Sequence, residues 1–398
     1  MKLFQRLLVA PAALSLMAPI VANANEVNLN EIANYSDIES VEFSNSFNND
    51  DLNINPLLAG GEGLVDDHDH GPEDSFSSTT TASFSVDMAI GAVDGNANET
   101  VGTAYGYQID LSTSFTGEDA LSVSLDAGSG ASSLGELDLN SSGDGLIVDG
   151  VTYTFPVGEK LTVLVGDSTD GSALYSTACV YGGFTNTLDD CGNASSAFTS
   201  PSNGATISAS YDIGNGFTGA LGYAGEGTGA DNGLMSKAGT DMFGGQLSYA
   251  ADTYGVSVTY ANIEDATKSY DDTAATVEYL NETSYWGLNA YWTPESTGSV
   301  PSISVGYESG DVDGSDTTDT TQWFVGLQWD EVGPGTFGVA AGSKGATVEN
   351  TDELMAYEAF YSYPVNDGMT ITPAVFIMEN ATGTDDETGI VVKTSFSF

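Results

Sequence analysis

The chain has 398 residues, with 7 Lys plus Arg against 57 Asp plus Glu, and its formal net charge is −50 at pH 7. A protein this acidic repels nucleic acid and anionic lipid headgroups, which excludes a nucleic-acid-binding protein. Its 48 glycines, 19 tyrosines and 17 phenylalanines beside only 11 prolines are typical of strands and turns, and they indicate an all-β fold.

Residues 1–24 are predicted to be a secretory signal peptide. Lys2 and Arg6 form a positive start, an apolar stretch follows over 7–21, and residues 22–24 read Ala-Asn-Ala, an A-x-A cleavage site. A short transmembrane anchor is the alternative, which the two prolines within the apolar stretch disfavour. No arginine remains after cleavage, so a guanidinium clamp on phosphate or carboxylate is excluded.

Residues 25–75 are polar and acidic without a sustained period, and we predict a mostly disordered periplasmic leader. Both histidines of the protein lie here, at His68 and His70, among aspartates. Two imidazoles among carboxylates are weak candidates for a divalent metal site. The alternative, which we favour, is a solvated acidic linker. We therefore predict no bound metal and no cofactor.

From about residue 79 onward, apolar and polar side chains alternate. The last strand, 388–398, shows the pattern most clearly: Ile390 and Val392 alternate with neighbours such as Lys393. A period of two gives a strand one apolar face and one polar face. About sixteen such segments over 76–398 predict a closed transmembrane antiparallel β-barrel, with the apolar face toward lipid and the polar face toward a lumen.

The predicted connections between strands are alternately short and long. Outer-membrane barrels show this asymmetry, with tight turns at the periplasmic end and long loops outside. The connections expected to be short, in chain order, are 116–119, 156–160, 212–216, 250–253, 293–301, 330–335 and 364–368. The long ones are 93–102, 128–150, 166–204, 224–241, 263–283, 309–320 and 343–353.

Aromatic residues cluster beside the short connections. On the lipid face of one rim they would form an interfacial girdle, and the alternative is the aromatic core of a soluble sandwich. A sandwich would not place aromatics so regularly beside every other connection, which favours the girdle. Its predicted members are Phe155, Tyr211, Phe217, Tyr249, Tyr254, Trp292, Trp329, Phe337 and Tyr363.

The longest connection, 166–204, contains Cys179 and Cys191, the only cysteines of the protein. In an exported protein, an even pair this close in sequence predicts a local disulfide. A metal site is disfavoured because no other cysteine or histidine accompanies the pair. Two positions of the connection remain open: it folds into the lumen and constricts it, or it packs over the mouth of the barrel.

Histidine-based catalysis is not available within the barrel, since both histidines precede it, and no phosphate-binding or dinucleotide-binding motif is present. We therefore predict that the protein is not an enzyme. A barrel of sixteen strands encloses a water-filled channel, and acidic residues in a channel favour cations. The predicted pore-lining residues are Asp87, Gln108, Asp110, Gln246, Gln328, Glu358 and Lys393.

Several segments resemble the cyanobacterial outer-membrane porins of the OprB-like carbohydrate-selective porin family. They read MKLFQ and VAPAAL in the signal peptide, FSSTTT at 76–81, YWGLNAYWTP at 285–294, PSISVGY at 301–307, YSYP at 361–364 and TITPA at 370–374.

This resemblance implies a sixteen-stranded diffusion porin, a homotrimer that passes sugars or inorganic ions, and some family members are described as iron-uptake porins. Such porins usually carry a surface-layer-homology domain between signal and barrel. Only the acidic stretch 25–75 occupies that place here, and we expect no anchoring to the cell wall. Strong retention on purified peptidoglycan would contradict this expectation.

The sequence thus predicts passive diffusion of small hydrophilic solutes, with a preference for cations, across the outer membrane of a Gram-negative-type envelope. The expected partners are solutes, ions, outer-membrane lipid and further copies of the chain. The alternatives are a barrel that acts as an adhesin or structural surface protein without transport, and a soluble β-rich surface protein.

Overall fold

A computed structural model describes residues 80–398 except for 96–98, 131–133, 135, 138, 141, 192–203, 227–233, 236–239, 265–281, 296–297, 314–318 and 382–383. The predicted signal peptide, the leader, and His68 and His70 lie outside the described residues. The domain boundaries drawn from the sequence therefore stay predictions.

The described residues form strands joined by turns and loops. In chain order the strands are β1 (Thr80–Asp94), β2 (Gly102–Thr113), β3 (Ala120–Gly128), β4 (Ile147–Val157), β5 (Leu161–Asp167), β6 (Gly204–Gly214), β7 (Phe217–Glu226), β8 (Asp241–Ala250), β9 (Tyr254–Glu264), β10 (Glu282–Trp292), β11 (Ser302–Val312), β12 (Thr320–Val332), β13 (Gly335–Ser343), β14 (Thr347–Val348), β15 (Met355–Asn366), β16 (Met369–Met378) and β17 (Glu387–Ser397).

The strands make one closed antiparallel sheet. Each pairs with the next along the chain, and β17 pairs with β1 to close the ring. The two-residue strand β14 pairs with the first two residues of β12 and stands outside the ring, in which β13 is followed by β15. The other strands form a sixteen-stranded barrel, which confirms the predicted fold class. No helix among the described residues is long and apolar enough to span a membrane.

Strand β11 shows how the alternation is used. Ser304 and Glu308 point inward and are 1% and 3% exposed, whereas Ile303 and Tyr307 point outward and are 36% and 48% exposed. On this strand the apolar side chains thus lie on the outer surface of the barrel and the polar ones lie within it. This inversion of the usual arrangement fits a barrel whose outer face meets hydrocarbon.

Aromatic side chains lie on the outer face beside the short turns. The rings of Phe217 and Tyr249 are 4.7 Å apart between centroids, and those of Trp329 and Phe337 are 5.7 Å apart. Each pair joins two neighbouring strands, β7 with β8 and β12 with β13. The predicted girdle residues therefore contact one another across strands at this end of the barrel.

The ring closes at the C-terminal residue. The backbone N–H groups of Phe84 and Phe398 each donate to the other residue's carbonyl, at 2.9 and 3.0 Å. The two rings stack with 5.6 Å between their centroids. The terminal strand that the sequence singled out therefore has partners on both sides, β16 and β1.

Asp119 fixes the turn between β2 and β3. Its Oδ1 accepts hydrogen bonds from the backbone N–H groups of Phe115 and Thr116, at 3.0 and 2.7 Å, and its Oδ2 accepts one from the Tyr153 hydroxyl at 2.7 Å. Burial alone would raise the pKa of this carboxyl. The donors of Thr116, Tyr153 and Ser114 outweigh burial and hold the pKa well below its usual range.

Candidate functional site

The described part of the β5–β6 connection, residues 168–191, lies inside the barrel and is called here the inner loop. The Ser176 N–H donates to Gln246 Oε1 on β8 at 2.7 Å, and the Gly182 N–H donates to Gln328 Oε1 on β12 at 3.1 Å. Both glutamines belong to the inward face, so of the two positions left open by the sequence, the inner loop takes the one within the lumen.

The inner loop is fastened to the wall at Glu358 on β15. Glu358 Oε1 accepts hydrogen bonds from the Tyr181 hydroxyl at 2.8 Å and the Phe184 N–H at 2.9 Å. Its Oε2 accepts two more from Thr185, from the N–H at 2.8 Å and from the hydroxyl at 2.5 Å. Each carboxylate oxygen therefore has two donors, and Glu358 is only 3% exposed.

Tyr181 is a reliable donor in this arrangement. Burial, and then the charge of the neighbouring Glu358 carboxylate, raise the pKa of Tyr181 far above its ordinary value. The hydroxyl therefore stays protonated at any pH at which a cell envelope works. Its ring also packs against Phe324 and Phe360 on the inner wall, with centroids 5.5 and 5.9 Å apart.

A disulfide closes the inner loop on itself. Cys179 and Cys191 are joined with an S–S distance of 2.07 Å across a sequence separation of 12. The Tyr181, Phe184 and Thr185 donors to Glu358 all lie between the two cysteines. The cross-link restricts the freedom of this segment, so the donors are presented to Glu358 as one unit.

An apolar cluster fills the space between the inner loop and the wall, where the sequence indicated a mostly polar lumen. The wall strands β12, β15 and β16 turn large apolar side chains inward against the loops, which cover them from water. The cluster includes Phe324, Phe360, Phe376 and Met378 from the wall, Tyr181, Phe184 and Leu188 from the inner loop, and Leu134, Leu137 and Leu139 from the β3–β4 connection.

Glycines on the wall allow the inner loop to lie close to the sheet. A Cβ at Gly326 would lie 2.6 Å from the Tyr181 ring, and one at Gly342 would lie 3.2 Å from Leu188 Cδ2. Both glycines are on the inward face: Gly326 lies two residues after Phe324 on β12, and Gly342 on β13 pairs directly with Phe324. The absence of side chains at these two positions therefore shapes a seat for the loop.

A second part of the lumen surface carries an acidic strip, defined by Asp87, Gln108, Asp110 and Ser124 on β1, β2 and β3. Asp110 Oδ1 accepts from Gln108 Nε2 at 2.9 Å and from Ser124 Oγ at 2.6 Å. Asp110 thus links Gln108 and Ser124 along the wall. The structure thus brings three of the predicted pore-lining residues, Asp87, Gln108 and Asp110, onto neighbouring strands.

Lys393 connects the acidic strip to the inner loop. Its Nζ lies 3.8 Å from Asp87 Oδ2, and the two side chains are 24% and 32% exposed. The same ammonium lies 5.6 Å from the centroid of the Phe184 ring. The positive charge of Lys393 is therefore partly compensated by a carboxylate and by an aromatic face.

The inner loop adds negative charge of its own through the exposed side chains of Asp189 and Asp190. The carboxyl group of Asp190 is still shielded in part from water, and this partial burial, followed by the charge of Asp189, raises its pKa. Among the described residues, no group of three or more His, Cys, Asp or Glu side chains is arranged to hold a metal ion. The lumen therefore offers dispersed carboxylates, with hydroxyl and amide groups between them.

The seven predicted pore-lining residues fall into two groups. Gln246, Gln328 and Glu358 hydrogen-bond to the inner loop and lie behind it, whereas Asp87, Gln108, Asp110 and Lys393 lie on or beside the acidic strip. Sequence reasoning missed the apolar cluster. A signal was present in runs such as 323–325 and 375–378, where consecutive residues are apolar. Both faces of the strand are then apolar, which indicates that neither face is exposed to water.

Solved structures of bacterial porins share this fold. OprB of Pseudomonas putida matches with a TM-score of 0.58 and 13% identity over 80% of this chain and 94% of its own. The anion-selective porin of Comamonas acidovorans matches with a TM-score of 0.54 and 15% identity over 80% of this chain and 99% of its own. A loop-deletion mutant of OmpT, an outer membrane protein of Vibrio cholerae, gives 0.53 and 12%, again over 80% and 99%.

Comparison of sequences gives no such link, since neither a protein-family model nor a curated protein matches the chain. At 12–15% identity the structural likeness establishes the fold, and it does not extend to the side chains of the lumen. The chain is thus a closed barrel of the kind found in these bacterial porins.

Proposed function

We propose that the protein is an outer-membrane porin that lets small hydrophilic solutes diffuse passively, with a preference for cations. The observation that carries this proposal is the inverted barrel: side chains such as Ile303 and Tyr307 are exposed outside, while Ser304 and Glu308 are buried inside. A closed ring with that arrangement has no unpaired edge and presents hydrocarbon to lipid. The likeness to bacterial porin structures supports it.

Charge supports the preference for cations. Carboxylates line the acidic strip and the inner loop, whereas Lys393 is already paired with Asp87. In a narrow channel, fixed negative charge raises the local concentration of cations and lowers that of anions. The chain would then differ in selectivity from the structurally similar anion-selective porin of Comamonas acidovorans.

Planar-bilayer recording of the purified full-length chain tests the proposal. We expect steady conductance steps and a reversal potential in a KCl gradient that favours potassium. Heat-modified mobility on a gel, which reports a closed barrel, serves as the folding control. If folded protein inserts and gives no conductance, the porin hypothesis is wrong. That result would support the alternative of a surface barrel that does not transport solutes. A chloride-favouring potential would remove only the cation preference.

We also propose that the chain belongs to the OprB-like carbohydrate-selective porins and works as a homotrimer. The motif resemblance and the OprB barrel likeness support the first statement. Swelling of proteoliposomes in isotonic monosaccharide tests the sugar substrate, with an unmodified liposome as control. The mass of the detergent-solubilised protein, corrected for bound detergent, tests the trimer, and a monomer mass would contradict it.

A further inference from the structure

Glu358 has an unusual position for a carboxylate. It is nine-tenths buried within the barrel, and among the described residues no lysine lies within ion-pair distance of it. A buried charge without a countercharge is costly unless hydrogen bonds replace the lost water. Here the replacements come from the inner loop, in the form of the hydroxyl of Tyr181, the N–H of Phe184 and both donors of Thr185.

We propose that Glu358 is the positioning residue of the inner loop and thereby sets the upper size limit of the solutes that pass. The inference rests on the proposed porin function, because a size limit has meaning only for a conducting barrel. The position of the inner loop is a separate, structural claim that can be tested without transport.

The four hydrogen bonds require an acceptor at each of the two side-chain oxygens. A glutamine at this position would place an NH₂ group against one pair of donors, because an amide has only one acceptor oxygen. The hydroxyl of that pair could turn and accept from the NH₂ group, but the backbone N–H of Phe184 or of Thr185 would face a donor and lose its acceptor. Buried donors left without an acceptor destabilise the arrangement, so the inner loop would leave its seat.

Other fastenings of the inner loop to the wall use fewer hydrogen bonds. Gln246 accepts one from the Ser176 N–H and donates one to the Ser176 carbonyl, and Ser304 and Gln328 accept one backbone hydrogen bond each. Because the Cys179–Cys191 disulfide encloses the donors to Glu358, that segment moves as one body when it is released.

The first experiment compares Glu358→Gln with Glu308→Gln. Both glutamates are 3% exposed and face inward, but Glu308 accepts its hydrogen bond from Gln322 on the adjacent strand β12. The measurement is the exclusion limit for polyethylene glycols of increasing size, read from single-channel conductance. We expect E358Q to admit larger polymers and to show noisier steps, and E308Q to resemble the wild type. Equal limits in all three proteins would overturn the inference.

The second experiment does not depend on conductance. The rate at which dithiothreitol reduces the Cys179–Cys191 disulfide is followed by alkylation and mass spectrometry. Cys191 is fully buried in the apolar cluster, so release of the inner loop should expose the disulfide. We expect reduction about tenfold faster in E358Q, which corresponds to roughly 1.4 kcal/mol of easier opening, and unchanged in E308Q. An unchanged reduction rate in E358Q would contradict the claim that Glu358 holds the inner loop in place.

The two readouts separate the inference from the porin proposal. A wild type that is silent in bilayers removes the proposed function, while the reduction rates still decide whether Glu358 holds the inner loop. If E358Q does not fold, Glu358→Asp replaces it, because it keeps a carboxyl group with both oxygens on a shorter side chain. The expected rate for E358D lies between wild type and a released loop, and a rate equal to the wild type would contradict the inference.

Discussion

Two regions of the inner wall are built from the same alternation and are used differently. On β12, β15 and β16 the inward side chains include large apolar ones, and the inner loop covers them around Glu358. On β1, β2 and β3 the inward side chains form the acidic strip, in which Asp110 bonds to its neighbours Gln108 and Ser124. The inward-facing residues of a strand can therefore be apolar or polar. Apolar ones are stable where a loop covers them, and polar ones are stable where water reaches them.

The difference between the covered wall and the acidic strip is one of solvation. Water is excluded from Glu358 and protein donors meet both of its oxygens, whereas Asp87, 32% exposed, keeps contact with solvent and with Lys393. A carboxyl group on the covered wall can act as a structural fastening, and a charge on the strip can act on passing ions. Three substitutions test this division.

The largest expected effect is on the covered wall. Phe324→Ala removes a fully buried ring that packs on Tyr181, and it should lower the free energy of unfolding by about 3–5 kcal/mol, because a cavity remains. Val325→Ala is the control on the same strand, since that side chain points outward and lipid can replace the lost methyl groups. Denaturant unfolding in detergent measures both. Equal losses would mean that Phe324 is not part of a packed core.

An intermediate effect is expected where the strip meets the inner loop. Asp87→Asn removes one negative charge and also frees the ammonium of Lys393, so the potassium-to-chloride permeability ratio should fall by about two- to fivefold. Asp110→Asn removes one charge without freeing a cation and should reduce the ratio less. Adding Lys393→Gln to D87N should restore most of the ratio. Identical losses in D87N and D110N would show that only the number of charges matters.

The smallest effect is a dependence on pH. Burial and then Asp189 raise the pKa of Asp190, so on acidification Asp190 takes up its proton at a higher pH than an ordinary aspartate. Cation preference should therefore decrease by less than about twofold as the pH falls into the upper part of the carboxylate range, since salt screens exposed charges. Asp190→Asn should lack this step. A reversal potential with the same pH profile in both proteins would assign the change to other carboxylates.

The barrel could be predicted from sequence because its signal is local. Alternation at a period of two, tight turns at every other connection and aromatics beside them each depend on residues a few positions apart, as in the strand from Ser302 to Val312. Several strands in the structure extend beyond their predicted ends. The structure also contains the short strand β14, whose two residues are too few to show an alternating pattern.

The position of the inner loop could not be predicted, because it depends on residues that are far apart in the sequence. Its fastenings join Phe184 and Thr185 to Glu358, 174 and 173 residues away, and two of the four donors are backbone groups that every residue carries. Nothing in the local pattern distinguishes such an N–H from any other. The apolar inward residues did carry a signal, since Phe376 and Met378 interrupt the polar phase of β16, and a strand apolar on both phases needs cover on both sides.

The order of synthesis gives the fastening at Glu358 a further meaning. The cysteine-closed segment is made long before β15, so its donors to Glu358 remain hydrated until that strand arrives. Contacts so distant along the chain form late, because a large loop must close before they can contribute. The interior of the cylinder is therefore expected to be occupied only after the cylinder is nearly complete, and a half-built molecule has no seat for this segment. The barrel is therefore expected to assemble first, and the inner loop to narrow its channel afterwards.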